Sequence, residues 1–217
     1  MVPASVAKAR FPRPVSTRSP LPRTVSTAQV SLNHDKETPI SLAVPVNRYW
    51  AFASIAVLGC VADLVSKQWV FQSLGLPGGP TFWLFEPYVG IQTAVNQGAL
   101  FGMGQGFSGV FALLSVAAAA GVMIWLFYFR AAQDWLLTVA LAGVMAGIGG
   151  NLYDRLGMWH DDSVHTELKN GVRDWILFQH PSLGTWPNFN IADCLLVCGA
   201  GLLMYHAFKR PRSQTAS

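Results

Sequence analysis

Asp193 stands near the start of the apolar run N188-F-N-I-A-D-C-L-L-V-C-G-A-G-L-L-M-Y-H-A-F208. An ionised carboxylate within hydrocarbon costs about 3 kcal/mol or more, so an acid at a membrane boundary asks for a partner. Two further carboxylates stand at comparable places: Asp154 closes another apolar run, and Asp174 precedes the apolar W-I-L-F. Asn151, Arg155 and Asn190 lie beside them in sequence, while Asp63 and Lys67, four residues apart, lie within an earlier apolar run. Gathered carboxyls support three chemistries. Two held close share one proton and serve as general acid and base. A file of them across a membrane relays protons. Near helix N-termini they accept backbone N–H bonds as caps.

Each residue also has a structural reading. Asp63 and Lys67 suit an ion pair on one helix face, and Asn190 with Asp193 suits a helix cap. Gly143, Gly147 and Gly150 read as helix-packing positions rather than a phosphate loop. His160, Asp161, Asp162 and His165 form only a loose metal-like cluster in a polar loop, so no metal and no cofactor is expected. Cys60, Cys194 and Cys198 all lie in apolar runs. They read as buried thiols, because Cys194 and Cys198 lack good disulfide geometry within one helix.

The elements that position these groups follow from composition. Of 217 residues, 52% are hydrophobic and only 12% charged, with a mean hydropathy of +0.34. That balance excludes an ordinary soluble domain and indicates a membrane protein. Apolar runs at about 49–71, 107–129, 135–156 and 189–208 each reach the roughly 20 residues a helix needs to cross the bilayer. The formal net charge of +4 then reads as a topology signal rather than as nucleic-acid binding. Seven basic residues lie between Lys8 and Arg48, Arg130 lies between the second and third runs, and Lys209, Arg210 and Arg212 follow the fourth. Arg155, Lys169 and Arg173 fall on the other side. The positive-inside rule therefore puts both termini and the Arg130 loop in the cytoplasm.

The remaining two loops face outward, and the acids collect there. Residues 72–106, rich in Gly and Pro with aromatic and β-branched residues between, suit short interfacial strands. The loop at 157–188 is more polar and carries Trp159, Trp175 and Trp186, which suit the interface. Residues 1–47, rich in Pro, Ser, Thr and Arg, read as a disordered basic tail held in the cytoplasm. The expected organisation is that tail, a four-helix membrane domain over 48–209, and a cytoplasmic tail at 210–217.

Five blocks occur in order across the four runs: V-A-D-L-V-S-K, N-Q-G-A-L-F-G, A-G-I-G-G-N-L-Y-D-R, V-R-D-W-I and F-N-I-A-D-C. Together they resemble the signature blocks of the lipoprotein signal peptidase family, also called signal peptidase II, from about Arg48 to Lys209. The resemblance implies an all-α integral membrane fold of four transmembrane helices with a small extracytoplasmic β-containing region between spans 1 and 2. It implies aspartic endopeptidase chemistry, with Asp174 and Asp193 in the catalytic positions. Asn96, Gly98, Ala99 and Phe101 match the family's N-x-G-A-x-F block. Asp63, Lys67, Gly147, Asn151, Asp154, Arg155, Asn190 and Ala192 match positions that bind substrate or support the site.

The implied partners are lipid-modified prolipoproteins and membrane lipids, with no nucleic acid, and the chain is expected to be a monomer. Its expected location is the bacterial inner membrane, with the site at the extracytoplasmic face. The basic tail and the long segment between Arg155 and Asp174 depart from the family pattern. The rival reading is a small proton-coupled transporter or channel component. A relay spreads its acids through the membrane depth, however, whereas these gather at one end. A purely structural protein whose acids merely cap helices leaves Asp174 and the paired Asn positions without a reason.

Overall fold

The computed structural model describes residues 43–98, 104, 106–160 and 168–209. Most of the expected basic tail, the segment 210–217, Ala99, Phe101, Asp161, Asp162 and His165 lie outside the described residues.

Four helices form where the apolar runs predict them: α1 (Val46–Leu74), α2 (Ser108–Met123), α3 (Trp135–Arg155) and α4 (Ile191–Lys209). One π-helical turn, Ile124–Tyr128, extends α2. All four are long and apolar enough to cross a membrane. Local chemistry sets their ends. Gly75, at φ +79°, stops α1 and returns its N–H to the carbonyl of Phe71 at 3.1 Å, a conformation that favours glycine. Asp134 starts α3 as its N-cap, Oδ1 accepting the N–H groups of Leu136 at 2.8 Å and Leu137 at 3.3 Å.

The third helix is the centre of the bundle. Some 61% of its most apolar window is buried, against 11–17% for the other three. It packs on each of them, whereas α2 and α4 meet mainly through it. Small residues permit the approach. A Cβ on Gly147 would lie 2.5 Å from the carbonyl oxygen of Ala192, and one on Gly199 would lie 2.8 Å from that of Ala140. An apolar core of Phe52, Val122, Leu126, Leu137 and Leu141 closes one end of the bundle.

A four-stranded antiparallel sheet occupies the other end, in the order β1 (Phe82–Phe85), β2 (Val89–Asn96), β3 (Val172–His180) and β4 (Gly184–Phe189). Its first half lies in the segment expected to hold strands. Its second half comes from the connection between α3 and α4, where the sequence predicts only a polar interfacial loop. Successive residues Val172, Arg173 and Asp174 are all buried, so β3 lacks the apolar/polar alternation of a half-exposed strand. Register places Ala94 opposite Asp174 and Val95 opposite Arg173. Asn190 alone separates β4 from α4, so the sheet sits directly on the helix ends that bear the acids.

Candidate active site

Lys67 is fully buried on α1, and an ammonium at that depth requires anions and acceptors. Its Nζ lies 2.7 Å from Oδ2 of Asp63 and 3.1 Å from Oδ2 of Asp154, and it donates to Oδ1 of Asn151 at 3.0 Å. Asp154 also accepts from Arg173: from the backbone N–H at 3.0 Å, from Nε at 3.1 Å and from Nη2 at 2.8 Å. Arg173 Nη1 donates to Gln68 at 3.1 Å. Phe71 and Trp159 lie 5.9 and 5.2 Å from the guanidinium carbon. Two cations and two carboxylates thus cancel within one buried cluster, which ties α1, α3 and β3 together.

Asp63 has a second role. Its Oδ1 accepts the N–H of Ala192 at 2.9 Å, satisfying one of the backbone donors left free at the start of α4. Asn190 and Asp193 cap the same helix reciprocally. Asp193 N–H donates to Oδ1 of Asn190 at 2.9 Å, and Asn190 N–H donates to Oδ2 of Asp193 at 3.2 Å. The ion-pair and cap readings therefore both describe real interactions, without exhausting what these residues do.

Two amides connect the closed cluster to two further acids. An ammonium can only donate, so Asn151 turns its oxygen to Lys67 and its Nδ2 to Oδ1 of Asp193, at 2.9 Å. Asn190 Nδ2 donates to Oδ1 of Asp174 at 2.6 Å and to Oδ1 of Asn151 at 3.3 Å. Asp174 and Asp193 are the carboxylates left over once Lys67 and Arg173 are matched. Asp174, on β3, is 2% exposed. Burial, and then the charge of Asp193, push its carboxyl well above the ordinary carboxylate range, although the Asn190 hydrogen bond opposes the shift.

Both acids line one cavity of about 740 Å³, walled by α2, α3, α4 and the sheet. Among the residues that line it, Arg155 Nη2 donates to the carbonyl of Gly98 at 3.1 Å, and Asn96 Oδ1 accepts the Gly98 N–H at 3.0 Å. Much of the remaining lining is apolar, with Leu114 and Ala118 from α2 and Leu196 and Val197 from α4.

The site residues expected from sequence therefore fall into two groups. Asn96, Gly98, Gly147, Asn151, Arg155, Asp174 and Asp193 line the cavity. Asp63, Lys67, Asp154, Asn190 and Ala192 are buried in the packing that supports it. Arg173 and Gln68 were missed. Arg173 counts as an outer-loop charge in the topology argument, yet it is 2% exposed and bound to Asp154. Its place beside Asp174 in V-R-D-W-I was the available signal. Among the described residues, no group of three or more His, Cys, Asp or Glu is arranged to hold a metal ion.

Residues 55–209, from within α1 to the last residue of α4, match the family described as signal peptidase (SPase) II. The chain belongs to the signal peptidase II family. It is 50% identical over 167 residues to the lipoprotein signal peptidase of Rhodopirellula baltica, covering 76% of this chain and 75% of that one. It is 33% identical over 167 residues to the lipoprotein signal peptidase of Pseudomonas aeruginosa, covering 75% and 90%. Two solved bacterial membrane enzymes share the fold. One has a TM-score of 0.62 at 23% identity, covering 76% of this chain and 92% of its own. The other has a TM-score of 0.59 at 25% identity, covering 74% and 94%. Membership in the signal peptidase II family makes the chain a membrane peptidase, and a proton-coupled transporter is not favoured.

Proposed function

We propose that this protein removes the signal peptides of diacylglyceryl-modified prolipoproteins, cleaving before the lipidated cysteine by aspartic proteolysis at Asp174 and Asp193. The observation that carries this reading is that the two acids left outside the balanced ion cluster line the same cavity. Peptide hydrolysis without a metal or a covalent nucleophile needs one group to take a proton from water and another to give one to the substrate. Two nearby carboxyls resist double ionisation and hold one proton between them. Burial beside Asp193 makes Asp174 the member that favours the proton. Asp193, fixed by Asn151 and by the backbone of Asn190, is then the base that deprotonates water. Asp174 protonates the carbonyl oxygen as the tetrahedral centre forms, and the pair returns a proton to the departing amine.

The cavity suits the substrate class. Its polar end holds the acids, and its apolar end, between α2 and α4, offers surface to acyl chains and an apolar leader. In this reading both termini lie in the cytoplasm of a bacterial inner membrane and the acids at the extracytoplasmic face, an orientation that the positive-inside charge pattern supports. The deciding experiment incubates the purified protein, in detergent, with a diacylglyceryl-modified prolipoprotein and with its unmodified form. Release of signal peptide from the modified form alone is expected. No release, where a control peptidase acts on the same sample, would remove the reading.

A further inference from the structure

Two nucleophiles lie in the cavity and take no part in the proposed hydrolysis. Cys194 directly follows Asp193, and Cys198 lies one helical turn further along α4. Both thiols are free, both residues are exposed, and both line the cavity that holds the two acids. Side chains four apart on a helix have Cβ atoms about 5–6 Å apart, whereas a disulfide draws its Cβ atoms to about 3.5–4.5 Å. The pair is therefore poorly placed to close on itself. A single soft atom bonded to both sulfurs fits instead, since thiolate–metal bonds of about 2.3 Å bridge the gap with modest rotation of the two side chains.

From this juxtaposition we infer that Cys194 and Cys198 form a dithiol-binding site in the wall of the active cavity, selective for neutral, membrane-soluble thiophilic compounds of the trivalent organoarsenical class. Two sulfur donors match a soft centre, while carboxylate and water suit hard ions. Among the described residues no third metal-ligating side chain joins them, which disfavours a hydrated divalent cation needing four protein ligands. The apolar wall around the thiols favours a ligand that partitions into lipid.

The reaction balances without an oxidant. An organoarsenic oxide, R–As=O, accepts both sulfurs: two As–S bonds form, the As=O bond breaks, and the two thiol protons leave with the oxygen as one water. Arsenic stays trivalent. The bridged product would stand in the cavity wall beside Asp193 and obstruct substrate, a consequence that rests on the function proposed above.

The test treats purified full-length protein with phenylarsine oxide and reads intact mass and prolipoprotein cleavage in parallel. The expected result is one arsenical per chain, bound with loss of one water, and at least a tenfold loss of cleavage. A dithiol such as 2,3-dimercaptopropanol should reverse both effects, whereas an equal concentration of monothiol should not. In Cys194→Ser and in Cys198→Ser the adduct that resists a monothiol wash should disappear, while Cys60→Ser should retain it. A monothiol-resistant adduct that survives either of the first two substitutions, or that depends on Cys60, overturns the site. A bridged adduct that leaves cleavage intact supports the dithiol site and counts instead against hydrolysis in this cavity.

Discussion

Asp63 on α1 accepts the backbone N–H of Ala192 on α4 at 2.9 Å, across 129 residues of sequence. The same carboxylate neutralises Lys67. One side chain therefore joins the ion cluster to the first turn of the helix that bears Asp193. That helix has its own cap in Asn190, so Asp63 adds position as well as satisfaction: it fixes where α4 begins relative to α1 and α3.

Substituting Asp63→Asn keeps an oxygen for Ala192 but removes the charge, leaving Lys67 and Arg173 to share Asp154 alone. Breaking a buried ion pair in this way costs about 3–5 kcal/mol. The variant should show a markedly lower thermal midpoint in detergent and a lower yield of inserted protein. The remaining folded fraction should keep cleavage within a few-fold of the parent. An unchanged midpoint would show that the cluster does not depend on this charge.

Glycine substitutions along α3 should follow how closely each position is approached. A Cβ at Gly150 would overlap the carboxylate of Asp63, and one at Gly147 would lie 2.5 Å from the Ala192 carbonyl oxygen, whereas one at Gly143 would lie 3.7 Å from that of Leu195. Gly150→Ala and Gly147→Ala should each destabilise the protein by about 1–3 kcal/mol, the range for overpacking, and reduce cleavage by displacing Asp193. Gly143→Ala makes an ordinary contact and should be tolerated. Thermal unfolding and cleavage of the three variants test the order, and equal behaviour at 143 and 147 would contradict it.

The spans and the gathering of acids were legible because each rests on local signals. Apolar runs have the length of a bilayer crossing, and charge sorts to one side of them. The second half of the sheet was not legible, since β3 turns Arg173 toward the α1–α3 cluster and Asp174 toward the cavity. A strand with a charged residue buried on each face leaves no apolar alternation to read. Likewise, the neutrality of the inner cluster depends on Arg173 meeting Asp154, a pairing set by how the sheet lies on the helices. Only after that pairing is seen do Asp174 and Asp193 stand out as the acids of the site that lie outside the ion cluster.

The raised carboxyl of Asp174 has a cost in stability with a definite sign. An unfolded aspartate ionises near pH 3.9, whereas in the folded chain burial and Asp193 hold the proton to higher pH. Between those two points the native state binds more protons than the unfolded state, so stability falls as pH rises through the window and stays lower above it. Asp174→Asn removes this penalty and keeps an oxygen for Asn190. The variant should therefore melt higher than the parent at neutral pH, by about 2–4 °C for each kcal/mol, and the gain should vanish below about pH 4. Melting curves across pH test this, and a gain that grows toward low pH would reverse the assignment.

Asp174→Asn and Asp193→Asn should each reduce signal-peptide release by at least a thousandfold while leaving an inserted, folded protein. Asparagine nearly keeps the volume of aspartate but cannot take a proton from water; at position 193 its one oxygen keeps one of the two hydrogen bonds that Asp193 accepts from Asn151 and from the Asn190 N–H. A pair that shares one proton acts as a unit, so the double variant should lose scarcely more activity than either single one. The parent should show a bell-shaped pH dependence, because the productive form holds one proton and is lost when the pair gains a second or releases the first; its two limbs belong to the pair rather than to either residue. Asp63→Asn provides the contrast, expected to lower stability without abolishing turnover. The measurement is release rate at matched amounts of folded protein across pH. Substantial turnover by either single variant, or losses in the double variant equal to the product of the two, would mean that Asp174 and Asp193 do not act as one acid–base pair.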